Sequence, residues 1–343
     1  MSMTETPDTS DAAPDTADVV APPPHIIVAP IPAPPAITTR GLTKRYGGLT
    51  ALDNLDLVLE KGDVFGFIGP NGAGKSTTMK ILAGLLEPTS GSAQVLGRDV
   101  MSNGDFVRRN IGYMPDFFNG YEDLTVYEYL EFFASAYGIG RFQRKRIVND
   151  VLELTDLKYK QDALTESLSR GMTQRLSLAR VLVHDPPILL LDEPASGLDP
   201  RARIEIRELL RELQRLGKTI LVSSHILSEL GEFCNKLGII ERGKLIIAGT
   251  VEELMERAQV HPVISVRVVG DARIATECLL ADGRVERVNA INGELLVTLR
   301  DATMHHGFVI ELLVARKVTV HSVAPQQLKL EDVFLRLTKG IVQ

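Results

Sequence analysis

The sequence predicts an α/β domain built around a parallel sheet, followed by a smaller α+β module. Three observations carry this expectation. From Thr38 onward, short β-rich runs such as VFGFIG (64–69), PILLLD (187–192) and TILVSS (219–224) alternate with helical stretches. The run Ile188-Leu189-Leu190-Leu191 has no polar alternation, as a central parallel strand covered on both faces requires. Beyond about residue 256 the glycine-rich loops cease. The pattern there reads strand (263–269), helix (272–281), strand (284–290), an Asn292-Gly293 turn, strand (294–300), helix (306–317), strand (318–323) and a closing helix (329–339). That β-α-β-β-α-β order predicts a ferredoxin-like module.

Composition sets the outer limits. The chain has 343 residues, 44% hydrophobic and 24% charged, enough for two domains with a real core, which excludes a wholly disordered or fibrous protein. The net charge of −6 is unevenly spread: residues 1–39 hold Glu5, Asp8, Asp11, Asp15 and Asp18 and no Lys or Arg, so the rest is close to neutral. Such a body gives no electrostatic reason to expect nucleic acid as a partner. The first 35 residues also hold half of the 18 prolines, and such a segment buries too little apolar surface to offset its ordering entropy. Residues 1–36 are therefore expected to be a disordered tail, 37–255 the main domain and 256–343 the accessory module. No stretch reaches the roughly 18 apolar residues of a membrane span, and MSMTETPDTS lacks the parts of a signal peptide, so a cytoplasmic location is expected. Cys234 and Cys278 are far apart, with no Cys or His at ligand spacing, and read as two buried thiols. His305 and His306 read as surface residues, since no acidic or cysteine ligands accompany them.

The chemistry concentrates in two motifs. Gly69-Pro70-Asn71-Gly72-Ala73-Gly74-Lys75-Ser76 fits the phosphate-binding loop G-x-x-x-x-G-K-[ST], lying between the strand VFGFI and a helical run that opens with Thr77. Its glycines let backbone N–H groups turn inward around phosphates, at a helix N-terminus whose partial positive charge favours anions. Lys75 is expected to reach the β and γ phosphates and Ser76 to ligate Mg²⁺. The second motif is the apolar strand ending in Asp192-Glu193. Asp192 can hold Mg²⁺, and Glu193, one residue further, can orient and deprotonate an attacking water.

With these in view, residues 38–255 resemble the nucleotide-binding domain of an ABC (ATP-binding cassette) ATPase. The resemblance implies a P-loop NTPase fold with a helical subdomain at about 117–168, and ATP and Mg²⁺ as cofactors. Tyr46 matches the aromatic that stacks on adenine. Leu168-Ser169-Arg170-Gly171-Met172 matches the family's signature, in which Ser169 and Gly171 would contact nucleotide held by the opposite subunit. Ser196-Gly197-Leu198-Asp199 resembles the loop that crosses the dimer interface, and His225, at the end of TILVSS, the switch histidine that senses the γ-phosphate. Two departures stand out. Asp116 replaces the usual glutamine that contacts Mg²⁺ and the attacking water; as a carboxylate it accepts hydrogen bonds, donates none, and adds negative charge. The signature also carries Arg170 and Met172 where Gly and Gln are usual.

The surroundings of Asp116 bear on partners. Phe117, Phe118, Tyr121, Tyr127, Tyr129, Phe132, Phe133 and Tyr137 form a local aromatic excess, and Thr125-Val126-Tyr127-Glu128 is a capping box that starts a helix. Core packing accounts for some of these rings; the resemblance implies that others receive the coupling helix of a membrane subunit. A single cassette and a short interval between Asp116 and Ser169 favour a transporter subunit, and with a C-terminal extension of this size and GYMPD (112–116) followed by aromatics the chain looks most like the ATPase subunit of a bacterial exporter. It would dimerise with itself or a relative and sit on the inner face of the membrane against a separate permease. The alternative is a soluble ABC-type regulator or assembly factor without a permease. A P-loop kinase leaves the signature and His225 unexplained.

Overall fold

The computed structural model describes residues 33–116, 121, 123–226, 230–257, 263–291, 293–300 and 306–325. Most of the expected tail, Phe117, Phe118, Asn292, His305 and the expected helix at 329–339 lie outside the described residues.

A four-stranded antiparallel sheet opens the fold, in the order β2-β1-β4-β5. Its strands are β1 (Ile37–Tyr46), β2 (Leu49–Leu59), β4 (Ser90–Val95) and β5 (Arg98–Asp99). Gly47, at φ +56°, turns β1 into β2. Leu55, Leu57 and Leu59 of β2 are buried in alternation, and Leu52 is buried three positions before them. Ala36, assigned above to the tail, is itself fully buried; its N–H donates to Leu59 O and its carbonyl accepts from Leu96 N–H, so the ordered fold includes it.

The second sheet has six strands in the order β10-β9-β3-β8-β7-β6. The strands β3 (Val64–Ile68), β6 (Ile111–Met114), β7 (Ile188–Leu191), β8 (Thr219–Ser224) and β9 (Lys236–Glu241) run parallel, and β10 (Lys244–Thr250) closes one edge antiparallel to β9. Strands β3, β7 and β8 are buried along their whole length, as the unbroken apolar runs predict. The two-residue period of a strand sends neighbours into different cores. Val64, Ile68, Leu189 and Leu191 join one cluster, and Phe65, Phe67, Ile188 and Leu190 join the other. Each such side chain taken from water stabilises the fold by roughly 1.5–3 kcal/mol.

Helices cover the sheet: α1 (Lys75–Leu82), α2 (Gly104–Asn110), α3 (Val126–Ala136), α4 (Arg141–Leu154), α5 (Arg170–Leu182), α6 (Pro200–Arg215) and α7 (Val251–Arg257). The predicted capping box is present: Thr125 Oγ1 accepts from Glu128 N–H, and Glu128 Oε2 accepts from Thr125 N–H. The aromatic cluster divides. Tyr129 is fully buried and packs against Phe133, with ring centroids 5.0 Å apart, while Tyr121 and Phe132 remain 53% and 50% exposed.

The C-terminal module comprises β11 (Val263–Val269), α8 (Ala272–Leu280), β12 (Val285–Ile291), β13 (Glu294–Leu299), α9 (Gly307–Ala315) and β14 (Thr319–Pro325). Its all-antiparallel order, β12-β13-β11-β14, is that of a ferredoxin-like sheet. The module has its own hydrophobic cluster, to which Ile264, Val266, Leu279, Val297 and Phe308 belong. Cys234 is buried, and burial pushes its thiol pKa up; Cys278, on α8, is only half-buried, its Sγ 3.6 Å from Leu312 O on α9. His306, immediately before α9, is half-buried rather than fully at the surface.

Candidate nucleotide site

The phosphate loop connects β3 to α1 and depends on residues without side chains. A Cβ on Gly69 would overlap the carbonyl oxygen of Ile240, and one on Gly74 would lie 2.7 Å from Ala51 O, at φ +112°. Strands β2 and β9 therefore close on the loop's backbone. Gly243 N–H donates to Ala73 O (2.9 Å), and Ala73 N–H to Pro70 O (3.1 Å). Pro70, Asn71 and Gly72 form the exposed rim, with Ser76 exposed and Thr77 half-buried at the first turn of α1. The first N–H groups of that helix have no intrahelical acceptor, which makes the loop a ready anion site.

Lys75 is only 5% exposed. Its ammonium donates to Gly69 O (2.6 Å) and Pro70 O (3.2 Å) and lies 3.4 Å from Glu193 Oε1. A buried cation held against a phosphate loop fits an anionic ligand bound at that loop, which would take the place of its contact with the Glu193 carboxylate. Glu193 Oε1 is buried and accepts no hydrogen bond among the described residues.

The carboxylates lie at the end of β7, where it meets β6 and β8. Asp192 N–H donates to Met114 O (2.9 Å). Ser223, fully buried on β8, joins the pair: its Oγ accepts from Glu193 N–H (2.9 Å) and donates to Asp192 Oδ1 (2.7 Å). This serine escaped the sequence reading, although its register on a parallel neighbour, two residues before His225, was a usable signal. Glu193 has φ +50°, a left-handed conformation that costs a non-glycine residue about 1–3 kcal/mol and is held by the surrounding bonds. His225, exposed at the end of β8, reaches back, its Nδ1 2.8 Å from Glu193 Oε2.

Asp116 belongs to the same neighbourhood. Burial raises its carboxyl pKa first, then the charges of Asp192 and Glu193, while Arg170 and His225 pull it down. The phenol of Tyr113, on β6, is pushed up to about 12 by burial and then by Asp192 and Asp116. Hydroxyl and carboxylate oxygens from Ser76, Asp192 and Asp116 are the donor type that a hard divalent cation prefers.

Other predicted residues stand apart from this group. Tyr46, at the tip of the β1–β2 hairpin, is 47% exposed, with the Lys44 ammonium 5.2 Å from its ring centre. Ser169 caps α5, accepting from Met172 N–H at 3.4 Å, and Asp199 caps α6, accepting from Ala202 N–H at 2.9 Å. Gly171 lets α5 approach α6, since a Cβ there would lie 3.3 Å from that of Ala202. Ser169, Gly171, Gly197 and Asp199 line one open cleft of about 480 Å³, whose walls include none of Lys75, Ser76, Asp192 or Glu193. The two groups of residues thus occupy separate places in the chain.

Comparison with known proteins gives the same outline. A family model described as ABC transporter matches residues 52–196. The Nod factor export ATP-binding protein I of Ralstonia nicotianae is 37% identical over 89% of this chain and 94% of that protein. The probable multidrug ABC transporter ATP-binding protein YbhF of Escherichia coli (strain K12) is 42% identical over 65% of this chain, which spans only 38% of YbhF. A solved ATP-binding subunit of an ABC transporter matches with TM-score 0.60 and 30% identity, over 65% of this chain and 92% of its own. A dimeric bacterial ABC transporter cassette matches with TM-score 0.58 and 28% identity, over 63% of this chain and 98% of its own.

Proposed function

For a chain that belongs to the family of ABC transporter ATP-binding proteins, and is thereby an ATPase, we propose the role of an energy-supplying subunit that dimerises on ATP and drives a separate membrane permease in export. The observation that carries this reading is the series of contacts Lys75–Glu193–His225 at the phosphate loop, with the signature residues in a separate cleft of the same subunit. Two copies arranged head to tail would complete each other's sites, with Ser169 and Gly171 of one meeting the phosphates bound by the other. The names of the relatives, Nod factor export and multidrug transporter, support the outward direction. Residues 37–255 would serve as the cassette and 256–343 as an accessory module.

In this reading Lys75 exchanges its loop carbonyls and Glu193 for the β and γ phosphates. Mg²⁺, held by Ser76 and Asp192 with Asp116 beside them, would supply neutralisation of the phosphate charge. Glu193 accepts the proton of the attacking water at its carboxylate, while His225, from Nδ1, fixes Oε2. Tyr46 and Thr77 complete the nucleotide contacts, as do Asn71, Gly72 and Ala73 through their backbone.

The permease would dock near Asp116. A cleft of about 250 Å³ there is lined by Leu85, Tyr113, Phe133, Tyr137 and Arg180, and the exposed rings of Tyr121 and Phe132 belong to the same helical region. Its chemistry suits an apolar helix carrying a carboxylate toward Arg180. This reading assigns the membrane span to another chain and the present one to the inner membrane face; none of the helices among the described residues is long and apolar enough to cross a membrane.

Purification of the tagged chain from detergent-solubilised membranes tests the proposal. A multi-span partner that changes the ATPase rate is the expected result. Recovery of soluble proteins alone would remove the transport role and favour a soluble ABC-type regulator.

A further inference from the structure

Arg180, in the last turn of α5, is a half-buried cation that lines the cleft of about 250 Å³ with Leu85, Tyr113, Phe133 and Tyr137. Among the described residues no carboxylate lies within ion-pair distance of its guanidinium, whereas Arg108, the other arginine of the cleft, is paired with Asp105. Its Cζ is 5.5 Å from the centre of the Phe133 ring, and Nη2 donates to Tyr113 O at 3.5 Å, the outer limit of a hydrogen bond. An aromatic face and one long bond to a carbonyl leave most of the cation's charge unanswered. The carbonyl it touches belongs to β6, the edge strand of the six-stranded sheet. Carbonyls alternate in direction along a strand. Met114 O points inward to β7 and accepts from Asp192 N–H (2.9 Å), so Tyr113 O and Ile111 O point outward. Side chains from the end of α5 and just beyond it cover both: Arg180 on Tyr113 O, and His184 with Nε2 3.1 Å from Ile111 O.

We propose that Arg180 senses docking: it binds one Asp or Glu on the partner's apolar helix and, in doing so, gives up Tyr113 O, so that β6 registers the partner and passes the change through Met114 O to Asp192. The inference rests on the permease reading above for the identity of the partner, and adds to it a regulatory route from the cleft to the carboxylates at the end of β7. The guanidinium is a fork that matches a carboxylate with two parallel hydrogen bonds, a better acceptor geometry than the single long bond to Tyr113 O. The remaining walls are apolar, with Leu85 65% and Tyr137 43% exposed, and suit the uncharged face of the same helix. Because Tyr113 immediately precedes Met114, the carbonyl that loses Arg180 is next in the chain to the one that holds Asp192.

Charge exchange across the interface tests this in the full-length chain purified with its membrane partner. R180Q and R180E should each recover about tenfold less partner than wild type, with R180K between them. Each Asp and Glu in the partner's cytoplasmic loops is then changed to Lys against R180E, and one such change should restore recovery to within about twofold of wild type. That restoration also shows that R180E is folded. Hydrogen exchange reads the route to Asp192: docking should alter exchange in a peptide covering 189–193 by about threefold or more in the wild-type complex. In the charge-exchanged complex, where no guanidinium leaves Tyr113 O, docking should leave that peptide unaltered. Wild-type recovery of the partner by R180Q would overturn the inference alone. Loss of recovery that no loop substitution restores would assign Arg180 to another anion, such as a lipid phosphate, and overturn the carboxylate. An equal change at 189–193 in both complexes would overturn the route through β6. A wild-type chain that recovers no membrane protein would instead overturn the permease reading, and this inference with it.

Discussion

His225 and Glu193 are joined by a 2.8 Å contact between Nδ1 and Oε2, and the other oxygen of the same carboxylate faces Lys75 at 3.4 Å. One carboxylate is thus held from both sides, by the histidine at the end of β8 and by the lysine of the phosphate loop. Because a positioned general base contributes about 10²–10⁴-fold, Glu193→Gln should lower kcat within that range while ATP still binds. His225→Ala should act in the same direction but more weakly, since Ser223 still fixes the Glu193 backbone. Steady-state hydrolysis alongside nucleotide titration checks both.

Ser223→Ala removes the hydroxyl shared by Asp192 and Glu193. Leaving a buried polar group without its partner costs roughly 1–3 kcal/mol. If that cost falls on the geometry of the carboxylates, kcat drops on the order of tenfold or more. The strand content read by circular dichroism should not change.

Gly74→Ala introduces a Cβ 2.7 Å from Ala51 O at a residue with φ +112°. The phosphate loop cannot keep its path, so nucleotide affinity should fall at least tenfold, as read by titration with a fluorescent ATP analogue. Gly48→Ala, where nothing lies within 4 Å of the added carbon, is the control and should bind normally.

His184 gives a pH test outside the site. Its ring stacks on Tyr137, with centroids 3.8 Å apart and planes 8° from parallel, and Nε2 is 3.1 Å from Ile111 O. Nδ1 is buried with no partner among the described residues, and burial lowers the pKa from 6.5. The unfolded chain therefore binds the proton more readily than the folded one. The stabilising contribution is complete above pH 6.5 and is lost as pH falls from there toward the lower folded value. Melting temperature should decline between pH 7 and 5.5, and His184→Phe should flatten that decline.

Much of this was legible in the sequence because the signals were local. The phosphate loop, the apolar strand before Asp192 and the Thr125 capping box each specify geometry within a few residues, and the C-terminal strand order followed from alternation and turn signals. Contacts between distant segments were not legible. Ser223 bridges to Asp192 only because β8 pairs with β7 in a given register, and Arg170 meets Gly197 only because α5 and the loop before α6 converge. Cys278 misled for the same reason: the lack of a Cys or His at ligand spacing gave no measure of its burial, and the thiol is only half-buried.

The most direct test of the central claim is the molar mass of the Glu193→Gln chain in solution, measured by light scattering with and without ATP and Mg²⁺. The account predicts a mass that doubles with ATP, stays single with ADP, and fails to double when Ser169→Ala is added, since the signature of one copy must meet the nucleotide of the other. A chain that binds ATP yet remains a monomer throughout would contradict the composite site.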